Sequence, residues 1–362
     1  MRILVDLTVL ELPATGVAKV LTGLYAAIAA DFPEITISGI HRRRLAAPLP
    51  PGIQARRVGR GLPRQAWRRF AIPYAARFSE GAILHFPWNG EVPSMVQNRL
   101  VITTLHDVLP LTIPGFFPNE VSTEKYRQQK QADADRSSVI VTDSEFSKKE
   151  IVKHLRLSRE PVVVPCATSI GEFRREITPS DKPYFLYVGG LDPRKSVDVL
   201  VRVFIQLRRE GIIRSRLTVV GSTRHAPPGL IKSLEDGQRQ GYIEIRGYVD
   251  DIELAGLYSG ALALVYPSQY EGFGMPPLEA MTMGCPVVIP RASSLPEVCA
   301  EAAYYVEPSG ELSLSQAILE IERNPGLRSQ LRDAGIKRAS LFSWTKAATA
   351  FVQIIQDLSQ KD

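Results

Sequence analysis

A chain of 362 residues is long enough for two ordinary domains with complete cores. Its 44% hydrophobic and 23% charged content is that of a globular protein and excludes a disordered one. No run of eighteen apolar residues occurs, which excludes a spanning helix, and Met1–Asp6 enters a strand pattern at once, which argues against a signal peptide. The cysteines, Cys166, Cys285 and Cys299, are odd in number, and no CxxC or HxxxH spacing occurs. A reducing, cytoplasmic setting without a structural metal is therefore expected.

The N-terminal half alternates strand and helix signals, the pattern of a parallel sheet with crossover helices. Arg2–Leu7 reads as a strand and Val17–Ala30 as a helix with Gly16 at its entrance. Ile35–Ile40 reads as a second strand. From Ile35 to Ser79 no Asp or Glu occurs, while ten arginines do: Arg42, Arg43, Arg44, Arg56, Arg57, Arg60, Arg64, Arg68, Arg69 and Arg77. This window carries +10 against a chain total of +6, so the rest is acidic. Interleaved with Leu45, Leu49, Leu62, Trp67, Phe70 and Tyr74, the arginines suit an anionic membrane surface. The competing readings are a solvated basic face and a nucleic-acid surface. No helix-turn-helix, zinc-finger or RNP pattern supports the latter, so no nucleic-acid partner is expected.

Ala82–Phe86 and Leu100–Leu105 read as strands, the first ending in Pro-Trp-Asn-Gly and the second in His106-Asp107. Glu120–Asp135 reads as an exposed helix, Ser138–Thr142 as a strand and Ser144–Leu155 as a helix. That helix carries either a capping box at Ser147–Glu150 or an earlier start at Ser144. Pro161–Val164 reads as a last strand, and the aperiodic stretch Pro165–Pro183 as a hinge. The alternation then restarts with strands at Tyr184–Val188, Leu217–Val220, Tyr242–Ile245, Ala261–Val265, Val287–Ile289 and Ala303–Val306. Helices are expected near Ser196–Glu210, Gly229–Gln238, Asp251–Ser259 and Pro277–Met283, with two more across Glu311–Ala339. The final helix, Thr345–Leu358, places Ala348, Phe351, Ile354, Ile355 and Leu358 at helical spacing. Two α/β domains around a cleft are expected, 1–170 and 171–343, followed by a terminal helix in 344–362.

The stretch richest in chemistry is Tyr266–Pro286, YPSQYEGFGMPPLEAMTMGCP. It leaves a strand, passes through Glu271-Gly-Phe-Gly-Met275 and enters a helix at Pro276-Pro277. Prolines suit a first turn because the missing N–H is not needed there. A helix N-terminus fed by a glycine loop favours an anion, and the amides expected to serve it belong to Gly272, Phe273, Gly274 and Met275. Glu271 and Glu279 bracket this cradle. A carboxylate sits awkwardly beside a phosphate and suits hydroxyl groups better, so a ligand carrying both, such as a sugar nucleotide, fits. The plainer alternative makes Glu279 a capping-box residue and Glu271 a solvated one.

The whole segment, Glu271 and Glu279 separated by seven residues with Gly-Cys-Pro-Val-Val following, resembles the signature of retaining glycosyltransferases of family 4, which have the GT-B fold. The resemblance covers most of the chain and is strongest over Tyr184–Pro290. It implies two Rossmann-like, doubly wound domains facing across a cleft, an acceptor domain first and a donor domain second. Phe342-Ser-Trp344 then resembles the crossover by which the last helix returns to the first domain. Arg194 and Lys195, in Val188-Gly-Gly-Leu-Asp-Pro-Arg-Lys195, match family cations for the donor pyrophosphate, with Gly189 in the same strand-end loop. Two departures occur there: Gly190 replaces a frequent Arg, and Ser196 a more usual Asn or Gly. His106 resembles the family histidine near the transferred sugar, and Gly16 the glycine that admits phosphate or acceptor. Arg246-Gly-Tyr-Val249 borders the nucleobase in the family, which brings in Tyr248 and Val249, with Ser222 at the neighbouring strand end. His41, His85, His154 and His225 have no comparable settings.

The resemblance implies metal-independent, retaining transfer of a hexose from a nucleotide-diphosphate sugar to a glycan or lipid-linked hydroxyl. Glu271 and His106 would serve the sugar, Glu279 the ribose, and no cofactor is expected beyond the GDP- or UDP-sugar substrate. The Pro-Arg-Lys form and His106-Asp107 resemble bacterial mannosyl- or rhamnosyltransferases of surface polysaccharide, which favours GDP-mannose. A GT-B epimerase or phosphorylase and a non-catalytic sugar-nucleotide-binding subunit are the alternatives.

Overall fold

The computed structural model describes residues 1–12, 15–79, 81–96, 99–173, 183–224 and 226–360. The chain forms two units, Met1–Ala167 with Phe342–Asp362, and Thr168–Leu341. Each is built on one parallel sheet with crossover helices, a Rossmann-like arrangement. Of the stretch expected as a hinge, residues 174–182 lie outside those described.

The first sheet comprises β1 (Arg2–Asp6), β2 (Thr36–His41), β3 (Ile53–Arg57), β4 (Ala82–Phe86), β5 (Val101–Thr104), β6 (Val139–Thr142) and β7 (Val162–Val163), in the order β3-β2-β1-β4-β5-β6-β7. Its central strands β4 and β5 are buried along their whole length, as strands covered on both faces must be. Helix Gly16–Asp31 turns Ala18, Leu21, Leu24, Tyr25 and Ile28 inward at three- and four-residue spacing. The terminal helix Trp344–Ser359 buries Ala348, Phe351, Val352 and Ile355 in the same core. Gly23 makes room for it: a Cβ there would come within 2.1 Å of the Trp344 ring. The last helix thus belongs to the N-terminal unit. Removing the fully buried Phe351 ring would cost about 3–5 kcal/mol.

The second sheet comprises β8 (Tyr184–Val188), β9 (Arg216–Val220), β10 (Ile243–Gly247), β11 (Leu264–Val265), β12 (Val287–Pro290) and β13 (Tyr304–Val306), in the order β10-β9-β8-β11-β12-β13. Chain order reverses between β8 and β11, and between β1 and β4 in the first sheet. Open α/β sheets receive ligands beyond the carboxyl ends of strands at such points.

Several elements differ from their sequence reading. β11 is a two-residue strand rather than Ala261–Val265, although Leu262 and Ala263 still bond to β8 through Tyr184 and Leu186. The helix after the glycine loop is Met275–Thr282, capped by Gly274, so the prolines occupy its second and third positions. Glu279 is thereby a fifth-position residue and no capping-box glutamate. Ser144, not Ser147, caps helix Glu145–His154, accepting from the Ser147 amide at 3.0 Å.

The basic window is the largest correction. It contains the edge strand β3 and a helical run made of Arg64–Ala66, a π turn Trp67–Ala71, and Ile72–Arg77. β3 escaped notice because an edge strand buries few residues: only Ile53 of its five is buried. Trp67, expected at a membrane interface, is completely buried and donates its ring N–H to Val58 O at 2.9 Å. Arg68 is buried against the Glu91 carboxylate and donates to Glu91 O at 2.9 Å. Arg64 pairs with the same carboxylate at 3.1 Å.

Candidate active site

At the reversal point of the second sheet, the loops after β8 and β11 bring Arg194 and Lys195 onto Glu271. Lys195 Nζ is buried, donates to Tyr266 Oη at 2.6 Å and pairs with Glu271 Oε1. Tyr266 Oη donates to that same oxygen at 2.7 Å, and Ser268 Oγ also donates to it. All three donors converge on Oε1; Oε2 is engaged by none of them. Arg194 stands at the solvent edge, with Nη1 3.6 Å from Glu271 Oε1, Nε 2.9 Å from Asp192 Oδ1, and a bond of 2.8 Å to Tyr270 O. Far from solvated, Glu271 is 9% exposed.

The electrostatics follow from two cations facing one buried carboxylate. Burial alone would raise the pKa of Glu271, but Lys195, then Arg194, outweigh it and hold the group below the usual carboxyl range. Burial lowers the pKa of Lys195; Glu271 opposes this, Arg194 adds to it, and the net direction is down. Arg194 explains the asymmetry, because it attracts the carboxylate and repels the ammonium.

Backbone geometry accounts for several residue choices. Ser196 has φ +50°, in the left-handed region that favours Gly and Asn, the residues the family resemblance makes more usual at this position. Its Oγ accepts from Gln269 Nε2 at 2.8 Å. Gly221 has φ +143°, and a Cβ there would lie 1.9 Å from Gly189 O, so the ends of β8 and β9 meet only because residue 221 lacks a side chain. Gly274 caps its helix at φ +112°.

The glycine loop is clamped from behind by residues the sequence reading missed. Ser294 Oγ, fully buried, lies 2.9 Å from Glu271 O and 2.6 Å from Phe273 O, and Ser293 Oγ accepts from the Glu271 amide at 3.0 Å. Their one sequence signal is position, just past the end of β12. Gly272 and Met275 stand in the loop and at the first turn of its helix. Glu279 is 4% exposed, and its Oε2 accepts from the buried Tyr258 Oη at 2.9 Å. Beyond β9 and β10, Ser222 is exposed, Tyr248 is 75% exposed and Val249 is buried.

In the first unit His106 follows β5 and is 7% exposed. Its Nδ1 lies 2.6 Å from Asp143 Oδ2 and its Nε2 2.9 Å from Pro87 O. A carbonyl can only accept, so Nε2 carries a hydrogen; a carboxylate opposite Nδ1 then favours the imidazolium. Burial would lower its pKa, but Asp143 and the two hydrogen bonds, with Asp107 beyond, raise it overall. Any bond from this ring to a sugar requires one of these partners to be given up. Asp143, unremarked in sequence because a strand-end Asp-Ser pair reads as a helix cap, is its anchor. The preceding loop has three consecutive left-handed residues, Asn89, Gly90 and Glu91. It is held by Asn89 Oδ1 accepting from His106 N at 2.8 Å, and by buried Lys130 and Asp133, whose Oδ1 accepts from Val92 N at 2.7 Å. Gly16 begins its helix, capped by Thr15, with open space where a Cβ would stand. His85 is a core residue bonded to Tyr25 and Thr104; burial, then the charge of His106, pushes it down to about 3.

Two Rossmann-like sheets with the last helix returned to the first unit define a GT-B glycosyltransferase fold. A sucrose-phosphate synthase from Thermosynechococcus elongatus shares it at a TM-score of 0.80, with 22% identity over 100% of both chains. Anabaena Alr3699/HepE, solved in complex with UDP-glucose, shares it at 0.76, with 16% identity over 99% of this chain and 100% of that one. The family described as glycosyl transferases group 1 matches residues 170–338. The O-antigen chain mannosyltransferase B of Escherichia coli is 32% identical over 298 residues, 79% of this chain and 75% of the relative. The chain belongs to the glycosyl transferases group 1 family and is a glycosyltransferase.

Proposed function

We propose that this enzyme transfers mannose from GDP-mannose, with retention of anomeric configuration and without a metal ion, to a hydroxyl of a lipid-linked surface glycan. The observation that carries the reading is the Glu271 carboxylate, with Oε1 anchored by Lys195, Tyr266 and Ser268 and Arg194 beside it. Such anchoring orients Oε2 toward the hydroxyls of the transferred sugar. The mannosyl identity is supported by the name of the Escherichia coli relative and by the likeness in the Pro-Arg-Lys and His106-Asp107 segments. A nucleotide-diphosphate donor is supported by the UDP-glucose complex of the Anabaena neighbour.

In this scheme the bond from the anomeric carbon to the diphosphate oxygen breaks and one to the acceptor oxygen forms. The acceptor's proton passes to the departing diphosphate. Arg194, Lys195 and the amides of Gly272, Phe273, Gly274 and Met275 stabilise the charge that accumulates on that leaving group. Glu279 holds the ribose, with Gly189, Ser222, Tyr248 and Val249 around the nucleotide. His106 positions the sugar end through the Pro87 loop, and Gly16 leaves room for the acceptor. We further propose that the protein works at the cytoplasmic face of a membrane, docked on anionic lipid through its arginine-rich segment 42–77.

Slow hydrolysis of a panel of GDP- and UDP-sugars, with and without EDTA, tests donor and metal together. GDP-mannose should be consumed fastest and EDTA should change nothing. In the same assay Glu271→Gln should lower turnover while sparing GDP affinity, and Glu279→Gln should weaken GDP by about 1.5–3 kcal/mol, one charge-assisted bond. Indistinguishable behaviour of the two variants would overturn the division of roles.

A further inference from the structure

We infer that membrane docking is carried by one aromatic ridge on the helical run 64–77, rather than by the arginine-rich segment as a whole; this deepens the docking proposed above and rests on it. The run buries one face, through Trp67, Arg68, Ala71, Ile72, Ala75 and Ala76. Its other face carries Phe70 and Tyr74, and Phe78 caps its end, the three four residues apart and so aligned in one stripe. They are 56%, 62% and 67% exposed. Met95, 62% exposed, lines a groove with Pro73, Ala76 and Arg77 of the same run. Large rings exposed in a row are uncommon on a protein surface and mark a face that is covered in use.

Charge complementarity identifies what covers it. Arg69 and Arg77 are exposed and eight residues apart, flanking the ridge, with the Arg69 guanidinium 5.6 Å from the Phe70 ring centre. Among the described residues, Glu91 pairs with Arg64 and Arg68 and Glu11 with Arg42, and no acid pairs with Arg69 or Arg77. Aromatic rings flanked by exposed arginine match the interfacial zone of an anionic leaflet, where rings sit at headgroup depth and guanidinium groups meet phosphate. Each arginine in contact strengthens partitioning about fivefold, and each ring adds apolar burial. The ridge is a surface feature, so its removal leaves the core intact.

The test is co-sedimentation of the full chain with vesicles of phosphatidylcholine alone or mixed with phosphatidylglycerol. Binding should require phosphatidylglycerol and weaken with salt. The triple variant Phe70→Ser, Tyr74→Ser, Phe78→Ser should lose at least tenfold in partitioning, and Arg69→Glu with Arg77→Glu at least as much. Arg43→Glu with Arg44→Glu, off the ridge, should change it by less than threefold. Wild-type binding by the ridge variants, equal binding to neutral vesicles, or an equal loss in the Arg43/Arg44 variant would overturn the proposal. So would capture of the ridge by a protein in the absence of vesicle binding. Sedimentation needs no turnover, so the result stands whichever sugar is transferred. Transfer to a lipid-free acceptor, unchanged in the ridge variants, separates a failure of docking from a failure of the transferase reading.

Discussion

The two sheets present different electrostatics at equivalent places. Beyond β5 and β6, the His106 ring meets Asp143, has Asp107 nearby, and spends its second nitrogen on a main-chain carbonyl. Beyond β8 and β11, one buried carboxylate, Glu271, meets two cations, Lys195 and Arg194, with Asp192 at the solvent edge. The first cluster is closed and carries no surplus positive charge, so it holds a loop in place. The second has an arginine whose outer partner is screened by water, for which an arriving phosphate can compete. In the function proposed above, one architecture gives a brace in one unit and an anion receptor in the other, through the ratio of cations to buried carboxylates.

The largest expected effect breaks the receptor alone. Replacing Arg194 and Lys195 together by alanine should weaken nucleotide-diphosphate binding by about 3–6 kcal/mol, two charge-assisted bonds at about 1.5–3 each. Asp143→Asn should leave that affinity unchanged. Calorimetry on both, with melting curves to confirm folding, decides; similar losses would erase the contrast.

A smaller effect sharpens the brace. Asp143→Asn should destabilise the fold by about 1.5–3 kcal/mol through the lost charge-assisted bond. Its pH dependence has a definite sign. The pKa of His106 is raised by folding, so its contribution is full below the ordinary imidazole value and disappears as pH rises through the raised one. That of Glu271 is lowered, so its contribution is present above the ordinary carboxyl value and disappears as pH falls through the lowered one. Melting temperature against pH should therefore lose its upper step in Asp143→Asn and its acid step in Glu271→Gln. A single variant that removed both steps would show the clusters to be coupled.

The smallest effect concerns the clamp. Ser294→Ala removes the single hydroxyl proton that Glu271 O and Phe273 O share, worth about 1 kcal/mol. Denaturant midpoints should fall accordingly, with a rise in donor KM larger than any change in a first-unit control such as Ser137→Ala.

Much of this was legible in the chain itself. The sequence predicts Tyr184–Val188 and Glu120–Asp135 with their observed limits, because an unbroken apolar strand and a charged helix leave no rival period. The motif singles out Glu271, Arg194 and Lys195, and the glycine loop includes Gly274. The contacts between them were not legible: Lys195 and Glu271 are 76 residues apart, and His106 and Asp143 are 37 apart. Their pairing depends on which strands lie side by side. Local sequence determined periodicity, turns and the residue types offered at strand ends, since those depend on neighbours along the chain. Strand order decided the rest. It made Glu279 a buried partner of Tyr258 rather than a cap, and it sent Trp67 into the core while leaving Phe70, Tyr74 and Phe78 outside. Burial is a property of the packed layers, and no single segment specifies which of its faces they will cover.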